Sequence, residues 1–229
     1  MTSGRGAPVR ILFGGSFDPP TLAHRLIAEC ALASVPNAEL VVVPAAVSPH
    51  KQDRTTTAAR HRLAMARIAF EGLPRVRVSD EEIVRGGASY TVDTLQLHRD
   101  ELGADARLYF LVGADALLSF GRWREPDRIL TLAKIISVAR PDFEFSALDK
   151  SEGTTPAMRA RLRAGILDCR GPRVSSTEVR NLLRSGTTSV DSGTGSPLES
   201  MMDKRVLAYI EAEQLYRPDD DPGDAPLAD

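Results

Sequence analysis

The sequence predicts an α/β protein: a doubly wound parallel sheet with helices on both faces and a small helical part toward the C-terminal end. Three observations carry this reading. Short β-branched runs such as ELVVVP at Glu39–Pro44 suit strands buried on both faces. Between them lie stretches whose apolar residues recur every three or four positions, which is helical spacing. The two kinds alternate along the chain, the pattern of right-handed crossovers over a parallel sheet.

Arg10 to Phe13 opens the first strand, halted by Gly14 and Gly15. From there Leu22, Leu26, Ile27, Cys30 and Ala31 mark a helix. Glu39 to Pro44 is the second strand, followed by a loop with Pro49 and a helix from about Ala58 to Phe70. Arg75 to Ser79 alternates as a third strand, and Val92, Leu95 and Leu102 give a helix over Tyr90 to Leu102. Arg107 to Val112 and Ile135 to Val138 read as two more buried strands, the first ended by Gly113. Beyond Arg140, Pro156 to Ala164 is helical and basic, SSTEVRNLL starts a helix with a hydroxyl cap, and Asp203 to Leu215 is the last helix. The Ser-, Thr- and Gly-rich stretch 185–200 is expected to be a mobile surface loop, and the acidic 217–229 a disordered tail. One domain over 1–216 is expected.

Composition excludes several classes. The 229 residues can bury a sizeable core, and 42% hydrophobic with 26% charged is near the globular average. Lys plus Arg number 29 against 31 Asp plus Glu, so no global positive field draws the chain to nucleic acid. The first apolar run is too short for a signal peptide, and no stretch approaches the roughly 20 apolar residues of a membrane span. A cytoplasmic protein is expected. Cys30 and Cys169 match no metal spacing and no CxxC motif, and are read as buried and reduced.

In such sheets ligands bind beyond the carboxyl ends of the strands, at the switch point of the strand order. The turn GGSFDPPTLAH places Gly14, Gly15, Ser16, Asp18, Thr21 and His24 around a helix start, where backbone amides and the helix dipole favour a phosphate. Capping by Ser16 and Asp18 and a surface His24 are the alternative. His50 and Lys51 follow the second strand and offer an imidazole and an ammonium at the same edge; a solvated basic loop is the alternative. Ser175, Ser176, Thr177 and Arg180 begin a late helix, where hydroxyls and a guanidinium suit a polyphosphate, unless they serve only as a cap and a surface arginine. The chain has no GxxxxGK[ST], no complete GxGxxG, no GxSxG and no HExxH. Covalent hydrolysis and zinc catalysis both lack their residues.

Taken in order, GGSFDPPTLAH, SPHK, YTVDTL, LVGADALLSFGRW and VSSTEVR resemble the nucleotidyltransferase superfamily with the (T/H)xGH signature, and its bacterial nicotinate-nucleotide adenylyltransferase branch. The resemblance covers roughly residues 10 to 216. It implies a Rossmann-like sheet and transfer of AMP from ATP to nicotinate mononucleotide, giving nicotinate adenine dinucleotide and pyrophosphate. Motif positions assign Gly14, Gly15, Ser16 and Phe17 to ATP, and His24 with Thr21 to its α-phosphate. Ser176, Thr177 and Arg180 fall to the β- and γ-phosphates, with Arg180 counted as catalytic, and Gly113 and Asp115 to the adenosine ribose. Asp18, His50, Lys51, Tyr90, Thr91 and Trp123 fall to the mononucleotide.

Magnesium is implied as a companion of ATP, with no metal site of the protein's own. Arg122 and Arg124, beside Trp123, suggest an attraction for the nicotinate carboxylate. Two positions depart from the family pattern: Thr21 stands where histidine is usual and Ala23 where glycine is usual. A pantetheine-phosphate or other transferase of the superfamily, or a nucleotide-binding regulator of weak activity, therefore remains the alternative. A homo-oligomer is left open.

Overall fold

The structure, a computed structural model, describes residues 7–47, 56–138, 145–169, 174–185 and 197–217. His50, Lys51, residues 186–196 of the expected loop and 218–229 of the expected tail lie outside the described residues. Six strands form one parallel sheet: β1 (Val9–Gly15), β2 (Glu39–Pro44), β3 (Val76–Val78), β4 (Arg107–Gly113), β5 (Lys134–Val138) and β6 (Ile166–Leu167). Their order is β3-β2-β1-β4-β5-β6, so the strand order reverses between β1 and β4. This is the doubly wound arrangement that the alternating pattern predicts. The sequence reading missed β6, whose two residues carry no periodicity.

Nine helices are described: α1 (Leu22–Ser34), α2 (Ala59–Phe70), α3 (Glu81–Arg85), α4 (Thr91–Leu102), α5 (Ala114–Leu118), α6 (Pro126–Leu132), α7 (Pro156–Arg163), α8 (Ser176–Arg184) and α9 (Lys204–Ala212). The sequence reading missed α3, α5 and α6, each seven residues or fewer, because two turns are too short to repeat an apolar spacing. Alternation along the strands fills both faces. Ile11, Phe13, Val42 and Leu111 pack beneath α1, α2 and α9, while Leu12, Val41, Phe110 and Ile135 pack beneath α4, α6 and α7. Each such side chain contributes about 1.5–3 kcal/mol by leaving water, so the strands are the best-anchored part of the molecule.

At the end of the stretch expected to be a loop, Pro197–Ser200 form a 3-10 turn, pinned because Leu198 is fully buried. Cys30 on α1 and Cys169 after β6 are joined as a disulfide, with Cα atoms 6.3 Å apart, and both are half-buried. This corrects the expectation of two buried, reduced thiols. The partners are 139 residues apart, and only the packing of α1 beside β6 brings them together. Among the described residues no helix is long and apolar enough to cross a membrane.

Candidate active site

A cavity of about 710 Å³ opens beyond the carboxyl ends of β1 and β4, at the switch point. That volume is in the range of small-molecule and cofactor sites. Gly14, Gly15, Ser16, Phe17, Asp18 and His24 line it from the first turn, and Gly113 lines it from the end of β4. Ser176, Thr177 and Arg180 close it from α8, and Tyr90, Thr91 and Trp123 line it from the segments at α4 and before α6. Five segments far apart in the chain therefore share one space.

The first turn is shaped by what lies under it. A Cβ on Gly14 would stand 2.8 Å from the Phe110 ring, and one on Gly15 would stand 3.1 Å from the Phe17 ring. A side chain at either position would press on a ring, most at Gly14, so packing favours glycine there. Phe17 has φ 49°, the left-handed region, and its ring is buried 5.3 Å from that of Phe13 and 5.8 Å from that of Phe70. Its side chain belongs to the core, which leaves its backbone for any nucleotide contact. The Leu22 amide at the start of α1 donates to the Met201 carbonyl at 2.8 Å, so one amide expected to face a phosphate is already occupied.

Thr21 is buried and does not line the cavity, unlike its expected place on the α-phosphate. Its hydroxyl lies 2.8 Å from His24 Nδ1, and its backbone amide donates to the same nitrogen at 3.0 Å. An amide can only donate, so Nδ1 is an acceptor and the neutral ring carries its proton on Nε2. Thr21 sets the tautomer and orientation of His24 from behind.

At α8, Ser175 caps the helix by accepting from the Glu178 amide at 3.1 Å. Ser176 Oγ donates to the Pro19 carbonyl at 2.8 Å. Arg180 donates to the Asp18 carbonyl at 2.6 Å and to Thr177 Oγ1 at 3.1 Å. Helix α8 is thereby fastened to the turn after β1, and its guanidinium stands at the cavity wall. Asp18 is itself buried, and its carboxylate accepts from Tyr216 at 2.6 Å and from the Thr57 amide at 3.4 Å, not from an open ligand space alone.

On the far side, the Trp123 ring packs 5.3 Å from Phe120 and edge-on, 6.1 Å away, to Phe110. The Arg124 guanidinium lies 4.7 Å over the Tyr90 ring. Glu82 also lines the cavity; burial pushes its carboxyl up, against hydrogen bonds from Thr94 and Ser89 that pull it down.

Residues 12–182 match the family model described as cytidylyltransferase-like. The chain belongs to the cytidylyltransferase-like family. It is 41% identical over 213 residues to the "Probable nicotinate-nucleotide adenylyltransferase" of Roseiflexus sp. (strain RS-1), covering 92% of this chain and 98% of that protein. It is 33% identical over 207 residues to the protein of the same name from Moorella thermoacetica, covering 90% and 91%. Among solved structures it is similar to Plasmodium falciparum nicotinic acid mononucleotide adenylyltransferase complexed with NaAD. That match has TM-score 0.67 and 19% identity over 91% of this chain and 97% of the other, a likeness of fold.

Among the expected site residues whose side chains are described, all but Thr21 line this one cavity. His50 and Lys51 lie outside the described residues, and for Asp115 the structure describes the backbone in α5 but not the side chain. The sequence reading missed Glu82, Arg62 and Tyr216. Arg62 is 2% exposed and donates to the carbonyls of Thr57, Ser16 and Ala46 at 2.8, 2.9 and 2.8 Å. Burial pulls its pKa down, opposed by the charge of Asp18. No local pattern announces Tyr216 or Arg62, since Tyr216 bonds Asp18 and Arg62 bonds Ser16, both distant in sequence.

Proposed function

We infer that the protein joins ATP and nicotinate mononucleotide into nicotinate adenine dinucleotide, releasing pyrophosphate. The observation that carries the inference is the single cavity at the switch point, which has His24 and Arg180 on one wall and the Tyr90 and Trp123 rings on another. A phosphate oxygen of the mononucleotide attacks the α-phosphorus of ATP. That P–O bond forms as the bond to the β-phosphate oxygen breaks, and pyrophosphate leaves with the electron pair. The attacking phosphate monoester has a second pKa of about 6 and is largely dianionic at neutral pH, so no general base is needed. Catalysis is then positioning and charge stabilisation.

In this reading His24 donates from Nε2 to an α-phosphate oxygen, held to that task by Thr21. Ser176, Thr177 and Arg180 receive the β- and γ-phosphates, which leave as pyrophosphate. Ser16 and Phe17 contribute backbone near the same phosphates, with Gly14 and Gly15 keeping the turn low. Gly113 and Asp115 take the ribose, and His50 and Lys51 add positive charge toward the mononucleotide phosphate. Tyr90, Thr91 and Trp123 take the pyridine ring, and Arg124, already over Tyr90, attracts its carboxylate.

Magnesium arrives with ATP. An ion of this kind is held chiefly by phosphate oxygens and water, with few protein ligands. When bound, the ion neutralises charge on the departing pyrophosphate. The reading needs one domain over 1–216, because α1 and α8 must close on the same ATP, and it places the enzyme in the cytoplasm with its substrates. Purified protein given ATP, magnesium and nicotinate mononucleotide should release pyrophosphate. Absence of turnover with the acid and the amide mononucleotide alike would refute the reading.

A further inference from the structure

We propose that Tyr216 is a positioning residue for the ATP side of the cavity: its hydroxyl fixes the Asp18 carboxylate, so that Arg180 is held on the Asp18 carbonyl and not captured by the carboxylate. The proposal rests on the adenylyltransferase reading above, which assigns Arg180 to the ATP phosphates.

Tyr216 follows α9, is 5% exposed, and donates to Asp18 Oδ1 at 2.6 Å. Burial and the neighbouring Asp18 charge hold its hydroxyl well above the ordinary tyrosine value, so it stays a donor. Its backbone has φ 60°, and Phe17, the residue before Asp18, has φ 49°. Non-glycine residues stay in the left-handed region only where their surroundings hold them, and such residues cluster at functional sites. Two of them meet here on either side of one carboxylate.

Asp18 is a branch point. Its carboxylate faces Tyr216 and Thr57, while its backbone carbonyl receives Arg180 Nη1 at 2.6 Å. The next carbonyl, that of Pro19, receives Ser176 Oγ. Without the Tyr216 hydroxyl, the carboxylate would keep, among the described residues, the 3.4 Å contact from the Thr57 amide and the nearby charge of Arg62. It would then be free to rotate toward a guanidinium, and an Arg–carboxylate pair is stronger than an Arg–carbonyl hydrogen bond. Arg180 would be drawn from the polyphosphate. Residue 216 therefore acts on ATP through Asp18 and Arg180; the Asp18 carboxylate, expected on the mononucleotide, is here engaged by Tyr216 and Thr57, and the Tyr90 and Trp123 rings take no part in that chain of contacts.

The test is Tyr216→Phe, which keeps the ring and removes the hydroxyl. Calorimetric titration with magnesium–ATP, without acceptor, should show affinity about tenfold weaker than for the unaltered protein. In the pyrophosphate assay KM for ATP should rise by a similar factor while KM for nicotinate mononucleotide stays within twofold. A purely structural role would lower the thermal midpoint and leave that split absent; equal ATP affinity in both proteins overturns the proposal. If Tyr216→Phe does not fold, Asp18→Ala measured at low temperature removes the carboxylate that would capture Arg180 and keeps the carbonyl, so its magnesium–ATP affinity should stay within twofold of the unaltered protein, and a tenfold loss would overturn the proposal. Unaltered protein that binds ATP but turns over no mononucleotide would count against the adenylyltransferase reading and leave the tether standing.

Discussion

Replacing Arg62 by methionine removes a guanidinium and keeps an unbranched chain of similar length. The side chain is 2% exposed and its three hydrogen bonds end on the carbonyls of Thr57, Ser16 and Ala46. A buried acceptor left without a donor costs about 1–3 kcal/mol, so three would cost at most about 3–9 kcal/mol, less here because Thr57, Ser16 and Ala46 are half-buried and water can reach part of them. Relief from burying a charge reduces this, and losing the counter-charge of Asp18 increases it. A net loss of about 3–5 kcal/mol is the working figure, a large share of the 5–15 kcal/mol that holds a typical domain together. At about 2–4 °C per kcal/mol for a chain of this size, the thermal midpoint should fall by about 6–20 °C, followed by circular dichroism. Because Ser16 lies in the turn after β1 and Ala46 follows the neighbouring β2, ATP affinity should fall in the protein that remains folded if that turn holds phosphate as proposed. A midpoint within 2 °C of the unaltered protein would mean that the three carbonyls find other donors and that Arg62 is not the brace described here.

Other outcomes follow from the same geometry. His24→Ala should lower kcat by about 10²–10³, the usual effect of deleting one donor to a developing oxyanion, with the midpoint little changed; near-normal turnover would remove His24 from that role. Thr21→Val keeps the backbone amide on Nδ1 but loses the hydroxyl, so kcat should drop several-fold and no more. If it drops as far as in His24→Ala, Thr21 touches substrate after all. Thiol titration of the denatured protein, purified without reductant, should find no free thiol, and two after dithiothreitol; two thiols before reduction would deny the Cys30–Cys169 bond. Burial opposes ionisation of Glu81, but hydrogen bonds from His98 and Ser79 still bring its pKa below the ordinary value, and Arg10 does the same for Glu101. Lowered folded values mean stability that is present above about pH 4.3 and lost as the pH falls through them. The thermal midpoint should decline between pH 5 and pH 3, and a flat profile there would show that these carboxylates are not held as drawn.

The parts of the fold legible in the sequence were those with a repeating signal. The β-branched run at Glu39–Pro44 and the spacing from Leu22 to Ala31 each report their own secondary structure, and β2 and α1 stand where those patterns put them. Helix α6, with seven residues, and β6, with two, offered no period to read. That Gly14, His24, Ser176 and Arg180 line one cavity was legible for a different reason, since their segments follow strand ends or start helices at the edge of the sheet. Thr21 shows the limit. Its type suits a phosphate, but its burial behind His24 follows from how α1 docks, which no local pattern records. The Cys30–Cys169 bond, Arg62 and Tyr216 are invisible for the same reason: their partners are chosen by packing between distant segments.

The hydrogen bond from the Leu22 amide to the Met201 carbonyl also sets an order in time. At about 5–20 residues per second, a ribosome needs on the order of ten to forty seconds between making the first of these residues and making the second. During that interval β1 and β2 can pair, yet the entrance of α1 lacks its acceptor and Asp18 lacks its tyrosine. A nascent chain therefore carries the phosphate turn long before it can shape it, and nucleotide binding should begin only when the last helix has emerged.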